Sequence, residues 1–73
     1  MATHEIQSPM TGNVVEVSVS VGDQISEGDL IIVIESMKME NEIFSEVSGT
    51  VTEVRVEEDE NVSEEAVILV VEN

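Results

Sequence analysis

One lysine of this chain is placed where it could carry a covalent group. Lys38 is the only lysine among the 73 residues, and it lies within the stretch Glu35-Ser36-Met37-Lys38-Met39-Glu40-Asn41. A lysine amine is a frequent target of covalent modification, and on a tight turn it would form a long, flexible arm on a rigid body. The competing interpretation is an exposed lysine that only improves solubility. Because the chain uses lysine nowhere else, we favour the acceptor role.

The two methionines beside the lysine support this hypothesis. Exposed apolar side chains are unexpected on a very acidic surface, whereas soft and adaptable thioethers suit a patch that another protein must grip. The alternative is that Met37 or Met39 packs against the end of the core. We expect at least one of them to remain available to a partner.

The other side chains argue against catalysis within this chain. There is no cysteine and no tyrosine, and His4 is the single histidine, so no thiolate or imidazole cluster can bind a metal. A chain this small, packed with valine and isoleucine, leaves little room for a substrate cavity. We therefore expect no catalytic residue and no metal site.

Lys38 lies between two copies of an internal duplication. Shifting the sequence by 37 positions places residues 4–36 on 41–73 without a gap. In a twofold-symmetric pair, the bridge between the copies and the chain termini occupy equivalent places. Lys38 should then project from the end of the molecule opposite Met1 and Asn73. The aligned identities include Gly12 with Gly49, Glu16-Val17 with Glu53-Val54, Ile31 with Ile68, and Glu35 with Glu72.

The apolar residues predict an all-β fold. They are mainly branched, with Phe44 the only aromatic, and branched side chains suit pleated strands. The strands predicted in the first copy are His4 to Gln7, an alternation from Val15 to Val21 with a bulge near Val14, a short strand at Ile25, and a buried run from Leu30 to Ile34. Four strands per copy predict a single domain, residues 1–73, folded as a flattened eight-strand barrel or sandwich of two pseudo-twofold-related halves.

Two pairs of turns connect the predicted strands. The first copy has Gly22-Asp23 and Gly28-Asp29, which are typical turn signals. In the second copy, Asp59 and Glu65 replace the two glycines. If the backbone there keeps a left-handed conformation, aspartate adopts it at some cost and glutamate less readily.

The bridge that carries the lysine must be a tight hairpin, with Glu35, Ser36 and Glu40 shaping it. Residues 37–40 contain none of the Asn-Gly or Asp-Gly chemistry that usually makes such a turn, and their propensity favours helix. A local rule broken at one place in an otherwise consistent chain indicates a functional constraint.

The charge excludes two classes of partner. Asp and Glu total 17 against two basic residues, for a net charge of −15, and such a field repels nucleic acid and anionic membranes. No membrane span or signal peptide is evident, so the expected compartment is the cytoplasm. The charge alone does not indicate the function.

The stretch around Lys38 resembles the biotinylation motif of biotinyl domains, the carrier modules of biotin-dependent carboxylases, in which a lysine lies between two methionines. Ser8-Pro9-Met10-Thr11-Gly12 is similar to the family's Pro-Met-x-Gly bend, and the two Gly-Asp turns resemble its paired turns. The resemblance covers nearly the whole chain. Thr11 and Glu46 depart from it, standing where the family often has proline.

The resemblance implies a flattened eight-strand barrel with Lys38 on its central hairpin and biotin as the cofactor. It also implies three partners: a biotin protein ligase that recognises Met37 and Met39, a biotin carboxylase, and a carboxyltransferase. The isolated domain is expected to be a monomer. Lipoyl domains share the fold, so a lipoyl carrier of a 2-oxo acid dehydrogenase or glycine-cleavage system is the alternative. They typically carry Asp-Lys-Ala at the turn, however, and the two methionines therefore favour biotin. A third interpretation is an unmodified adaptor whose acidic face binds a basic partner.

Overall fold

The computed structural model describes residues 2–73 and contains eight β-strands in two four-stranded antiparallel sheets. The predicted all-β, eight-strand fold is confirmed. One sheet has the order β1-β8-β6-β3 and the other β5-β4-β2-β7. No helix long and apolar enough to cross a membrane is found among the described residues. The strands are β1 (Thr3–Gln7), β2 (Gly12–Val17), β3 (Gln24–Ile25), β4 (Leu30–Ser36), β5 (Met39–Phe44), β6 (Gly49–Val54), β7 (Asn61–Val62) and β8 (Val67–Glu72).

The strand register repeats the duplication seen in the sequence. Each pairing in one sheet has a counterpart 37 positions away in the other, as when Ile6 faces Leu69 and Ile43 faces Ile32. Each sheet takes two strands from each copy, because β1 and β3 join β6 and β8. The copies are therefore interleaved, and neither could form its sheet without the other.

The chain ends occupy the place equivalent to the lysine turn. Ala2 and Asn73 exchange backbone hydrogen bonds of 2.8 and 2.9 Å, just as Ser36 pairs with Met39 in the other half. β2 begins beside β4 at the lysine turn, and past its far end the chain forms β3, which pairs with β6 next to the end of β8. Asn73 thus lies at the far end from Lys38, as predicted, whereas Met1 lies outside the described residues.

The core is built from the two apolar runs. β4 and β8 are interior strands of their sheets, and their branched residues are almost fully buried, as expected for strands covered on the core side and paired on both edges. The predicted buried run of the first copy is confirmed. The main buried cluster consists of Val14, Val19, Ile25, Ile31, Ile32, Ile34, Val51, Val56, Val62, Ile68, Leu69 and Val71.

The alternation predicted from Val15 to Val21 is wrong as one continuous strand. The register shifts between Val14 and Glu16, so the predicted bulge is confirmed, and it turns Val14 into the core while Val15 stays 37% exposed. β2 ends at Val17, and Val21 is 64% exposed. The valine spacing continues beyond the strand because the chain there crosses to the other sheet, where the Gly22 amide donates to the Val51 carbonyl at 2.8 Å.

The turns of both copies share a left-handed backbone. Gly22 and Gly28 have φ values of 97° and 94°, and the aligned Asp59 and Glu65 have φ values of 70° and 74°. The second copy therefore keeps the turn geometry without glycine, which costs roughly 1–2 kcal/mol for each such residue. The left-handed conformation that was considered for these two residues is thus present at both.

Replacing Glu65 by glycine should raise the free energy of unfolding by about 0.5–1 kcal/mol, because relief of the left-handed backbone exceeds the added entropy of the unfolded chain. Denaturant titration of purified protein measures this change. Glu64→Gly is the matched control, since it removes the same charge from a position without positive φ. If both variants were stabilised equally, reduced charge repulsion and not backbone strain would be the cause.

Candidate functional site

The lysine lies on a two-residue hairpin turn between β4 and β5. Ser36 pairs with Met39, and the two residues between them, Met37 and Lys38, have φ values of 54° and 65°. Positive φ at both central positions is what a type I′ turn requires, and it normally selects asparagine or glycine. The predicted tight hairpin is thus present with unfavourable residues. The backbone of each of these two residues is held in a left-handed conformation that costs roughly 1–2 kcal/mol.

Pairing on both edges of β4 fixes the base of the turn. Glu35 pairs with Glu40 in β5 on one side and with Asn13 in β2 on the other. The end of β4 therefore cannot shift without disturbing two neighbouring strands. Lys38 follows this anchored position after only two residues.

A close approach of β2 to β4 depends on Gly12. A Cβ atom at this position would clash with the carbonyl oxygen of Glu35 and would lie 2.7 Å from a methyl group of Ile34. No real side chain fits at such distances, so glycine is needed for β2 to pack here. The symmetry-equivalent Gly49 makes the same approach to Glu72, at the end of the molecule opposite the lysine turn.

Asn41 stabilises the turn through its side chain, a role that the sequence analysis missed. Its amide Nδ2 donates to the carbonyl oxygens of Met39 at 3.2 Å and of Ile34 at 3.4 Å. An amide placed three residues beyond a turn that lacks glycine and asparagine was the available signal. The side chain thereby links the first residue of β5 to β4.

The lysine and both methionines extend into solvent. Met37 is 92% exposed and Met39 is 67% exposed, so the alternative in which one of them packs into the core is wrong. Lys38 is exposed as well. An amine on a turn with no surrounding walls suits covalent attachment of a group that other proteins must reach. The methionines add an apolar surface on either side of it.

The surroundings of the turn are acidic. Glu35 and Glu40 are exposed and directly opposite each other, an arrangement that is unfavourable for like charges, while Ser36 is half-buried. Within residues 2–73 the ion pair found is Arg55 with Glu53, at 3.3 Å, and it does not involve Lys38. The hydrogen bond and charge of Glu53 raise the pKa of the Arg55 guanidinium. The six residues predicted for the site, residues 35–40, all lie at the lysine turn and at the adjoining ends of β4 and β5.

The histidine and the acidic side chains that the structure describes do not form a metal site. The ring of His4, the one histidine, lies 3.3 Å from the side-chain oxygen of Asn73 at the opposite end. Residues 2–73 contain no group of three or more histidine, aspartate or glutamate side chains arranged to hold a metal ion.

Comparisons with known proteins agree with this geometry. The biotin/lipoyl family model, described as biotin-requiring enzyme, matches residues 4–71. The biotin carboxyl carrier protein of Streptococcus mutans is 44% identical over 41 residues, which are 56% of this chain and 32% of that protein. The methylmalonyl-CoA decarboxylase gamma subunit of Propionigenium modestum is 46% identical over 37 residues, which are 51% of this chain and 28% of that subunit.

A solved structure shares the whole fold. The urea carboxylase of Kluyveromyces lactis matches with a TM-score of 0.88 and 27% identity, over 97% of this chain and 6% of that chain. The chain thus spans less than a third of the length of each of these three proteins. Since the family model matches nearly the entire sequence, from the first strand to the last, the chain belongs to the biotin/lipoyl attachment family.

Proposed function

We propose that this chain is a biotin carboxyl carrier, with biotin attached through an amide bond to the Nζ of Lys38. The observation that carries the proposal is the exposed Lys38 on a strained turn between Met37 and Met39. Relatives named biotin carboxyl carrier protein and carboxylase subunits support it. The chain itself is a carrier and not a catalyst.

The attachment step uses the lysine amine as a nucleophile. A biotin protein ligase presents biotin as its acyl-adenylate, the Nζ of Lys38 attacks the acyl carbon, and adenylate leaves as the amide forms while the amine loses a proton. Biotin, when bound, accepts a carboxyl group at one active site and releases it at another. The role of Lys38 is to tether, because a linked cofactor reaches a high effective concentration at each site. The role of Met37 and Met39 is to give the ligase an apolar grip.

The partners proposed for this chain follow from that role. They are a biotin protein ligase, a biotin carboxylase and a carboxyltransferase. The carboxylase and the carboxyltransferase would form a larger assembly with this chain. A net charge of −15 opposes self-association, so we propose a monomer. The same charge opposes binding to nucleic acid and to anionic membranes.

The alternatives differ from the proposal at the turn. A lipoyl carrier has the same fold, but the methionine pair and the carboxylase relatives favour biotin. An unmodified acidic adaptor would use neither Lys38 nor the two exposed methionines.

Lys38→Arg should abolish modification, because arginine keeps the charge but offers no acylable amine at neutral pH. The measurement is the intact mass of the 73-residue protein after incubation with a biotin ligase, ATP and biotin, followed by avidin capture. We expect one added biotin in the wild type and none in the variant. An unmodified wild type beside a ligase that modifies a known acceptor would refute the proposal, and a lipoyl-sized addition from a lipoylating host would favour the alternative.

Met37→Asp combined with Met39→Ala should slow biotinylation at least about tenfold. Each apolar contact at the centre of an interface contributes more than about 1 kcal/mol, two are lost, and about 1.4 kcal/mol corresponds to a factor of ten. Initial rates of biotin incorporation measure this effect. Val21→Asp combined with Phe44→Ala is the control, since it alters exposed apolar residues away from the turn. Equal rates for the two double variants would show that the ligase does not recognise the methionines.

Gly12→Ala should slow biotinylation, whereas Gly49→Ala should not. Both substitutions force a Cβ onto a strand carbonyl and should lower the free energy of unfolding by about 1–3 kcal/mol. Gly12 contacts β4, which leads into the lysine turn, while Gly49 contacts β8, which ends next to the last residue of the chain. Rates measured well below both unfolding midpoints separate positioning from stability. If both variants were biotinylated equally, Gly12 would have only a structural role.

A further inference from the structure

A groove lies between the outer edges of the two sheets, away from the lysine turn. It has a volume of about 640 Å³ and is lined by β1 and by the end of β5 with the residues after it. None of residues 35–40 lines it. We call it the β1–β5 groove. A molecule bound there would leave Lys38 free.

Both strands that border the groove have an unpaired edge. Within residues 2–73, β1 pairs only with β8, and β5 pairs only with β4. The outward amide and carbonyl groups of such edges can pair with an added strand. The groove therefore offers main-chain hydrogen bonds to an extended segment on either side.

The floor of the groove is apolar, and an exposed aromatic ring lines the groove beside it. Ile6 and Ile43 are partly buried against the core, and Phe44 is 51% exposed. Aromatic residues are enriched among the residues that dominate binding energy at interfaces. Phe44, the one aromatic residue of the chain, is thus placed where a partner could cover it.

The groove is also where the two copies differ in character. Phe44 occupies the position of Gln7 in the first copy, and Glu46 occupies that of Pro9. The fold needs neither an aromatic nor a carboxylate here, since the equivalent positions do without them. The asymmetry gives the β5 side of the groove an aromatic ring and a carboxylate where the β1 side has an amide and a proline ring.

The charge of the lining selects the kind of partner. Glu5 and Glu46 are exposed along the groove, and no lysine or arginine lines it. A second copy of this chain would bring the same carboxylates and a net charge of −15 against them, which is repulsive. A segment with lysine or arginine beside apolar side chains complements both the rim and the floor.

We propose that the β1–β5 groove binds an extended segment of a partner protein in which basic and apolar residues alternate. The segment adds as a strand to a free sheet edge, covers Phe44 with its apolar side chains and places its basic side chains by Glu5 and Glu46. This interaction goes beyond the carrier role. It would hold the domain to a larger assembly while the arm on Lys38 moves.

The test uses a dye-labelled peptide of about eight residues, the length of a long strand, that alternates valine and lysine. Fluorescence anisotropy in about 150 mM salt limits non-specific attraction to the acidic surface. We expect saturable binding, with amide chemical-shift changes concentrated in β1 and β5. Peptides that alternate valine with glutamate, or serine with lysine, should bind far more weakly.

Matched variants separate the groove from general acidity. Phe44→Gln should weaken binding about tenfold and Glu46→Lys about fivefold. Outside the groove, Val21→Gln replaces another exposed apolar side chain by an amide and Glu58→Lys makes the same charge reversal, and both should have little effect. Equal weakening by Glu46→Lys and Glu58→Lys, or shifts spread over the acidic turns, would overturn the proposal. Concentration-dependent self-association through the same edges would assign the groove to a second copy and overturn it as well.

The outcome is independent of the carrier function. Biotinylation of Lys38 in the Phe44→Gln variant should proceed at the wild-type rate, because Phe44 is at the other end of β5 from the turn. Loss of peptide binding with normal biotinylation supports the groove. Normal biotinylation of a wild type that binds no peptide would refute the groove and leave the carrier proposal intact.

Discussion

The lysine turn depends on the burial of β4. Ile31, Ile32 and Ile34 have no exposed surface, and full burial of such a side chain contributes roughly 1.5–3 kcal/mol. The left-handed backbone at Met37 and Lys38 costs roughly 1–2 kcal/mol per residue. An isolated two-stranded hairpin is marginal in water and would not hold these dihedral angles by itself. The display of the lysine is therefore a property of the whole core and not of the local stretch.

The duplication separates what the fold requires from what function requires. Gly12 and Gly49 are equivalent, and both are glycine because two strands approach closely at each end. The fold itself tolerates left-handed residues other than glycine, as Asp59 and Glu65 show. The backbone of the lysine turn is therefore not sufficient evidence of function. What distinguishes the turn is that its methionines are exposed although nothing in the fold requires apolar residues there.

Most of the fold could be predicted from the sequence because the copies confirm each other. The apolar runs, the turns and the bulge near Val14 all recur 37 residues later. The strands of both copies therefore pair in the same register in the two sheets. The valine alternation was misleading beyond Val17. Apolar and polar residues continue to alternate there although the strand has ended and the chain has left the sheet. At the site, the position and exposure of Lys38 were predictable from the repeat. The hydrogen bonds of Asn41 were not, since they depend on the register across the hairpin.

In the proposed carrier role, several enzymes would have to reach the same residue, Lys38. The surface around the turn would then have to be acceptable to all of them and could not be specialised for one. The turn meets this demand with flexible thioethers and little else. A contact that is specific for one assembly is better placed on another surface, which the other partners do not need to bind. The β1–β5 groove is such a surface, since it has free strand edges, an exposed ring and a rim of one charge, and no residue from 35 to 40 lines it.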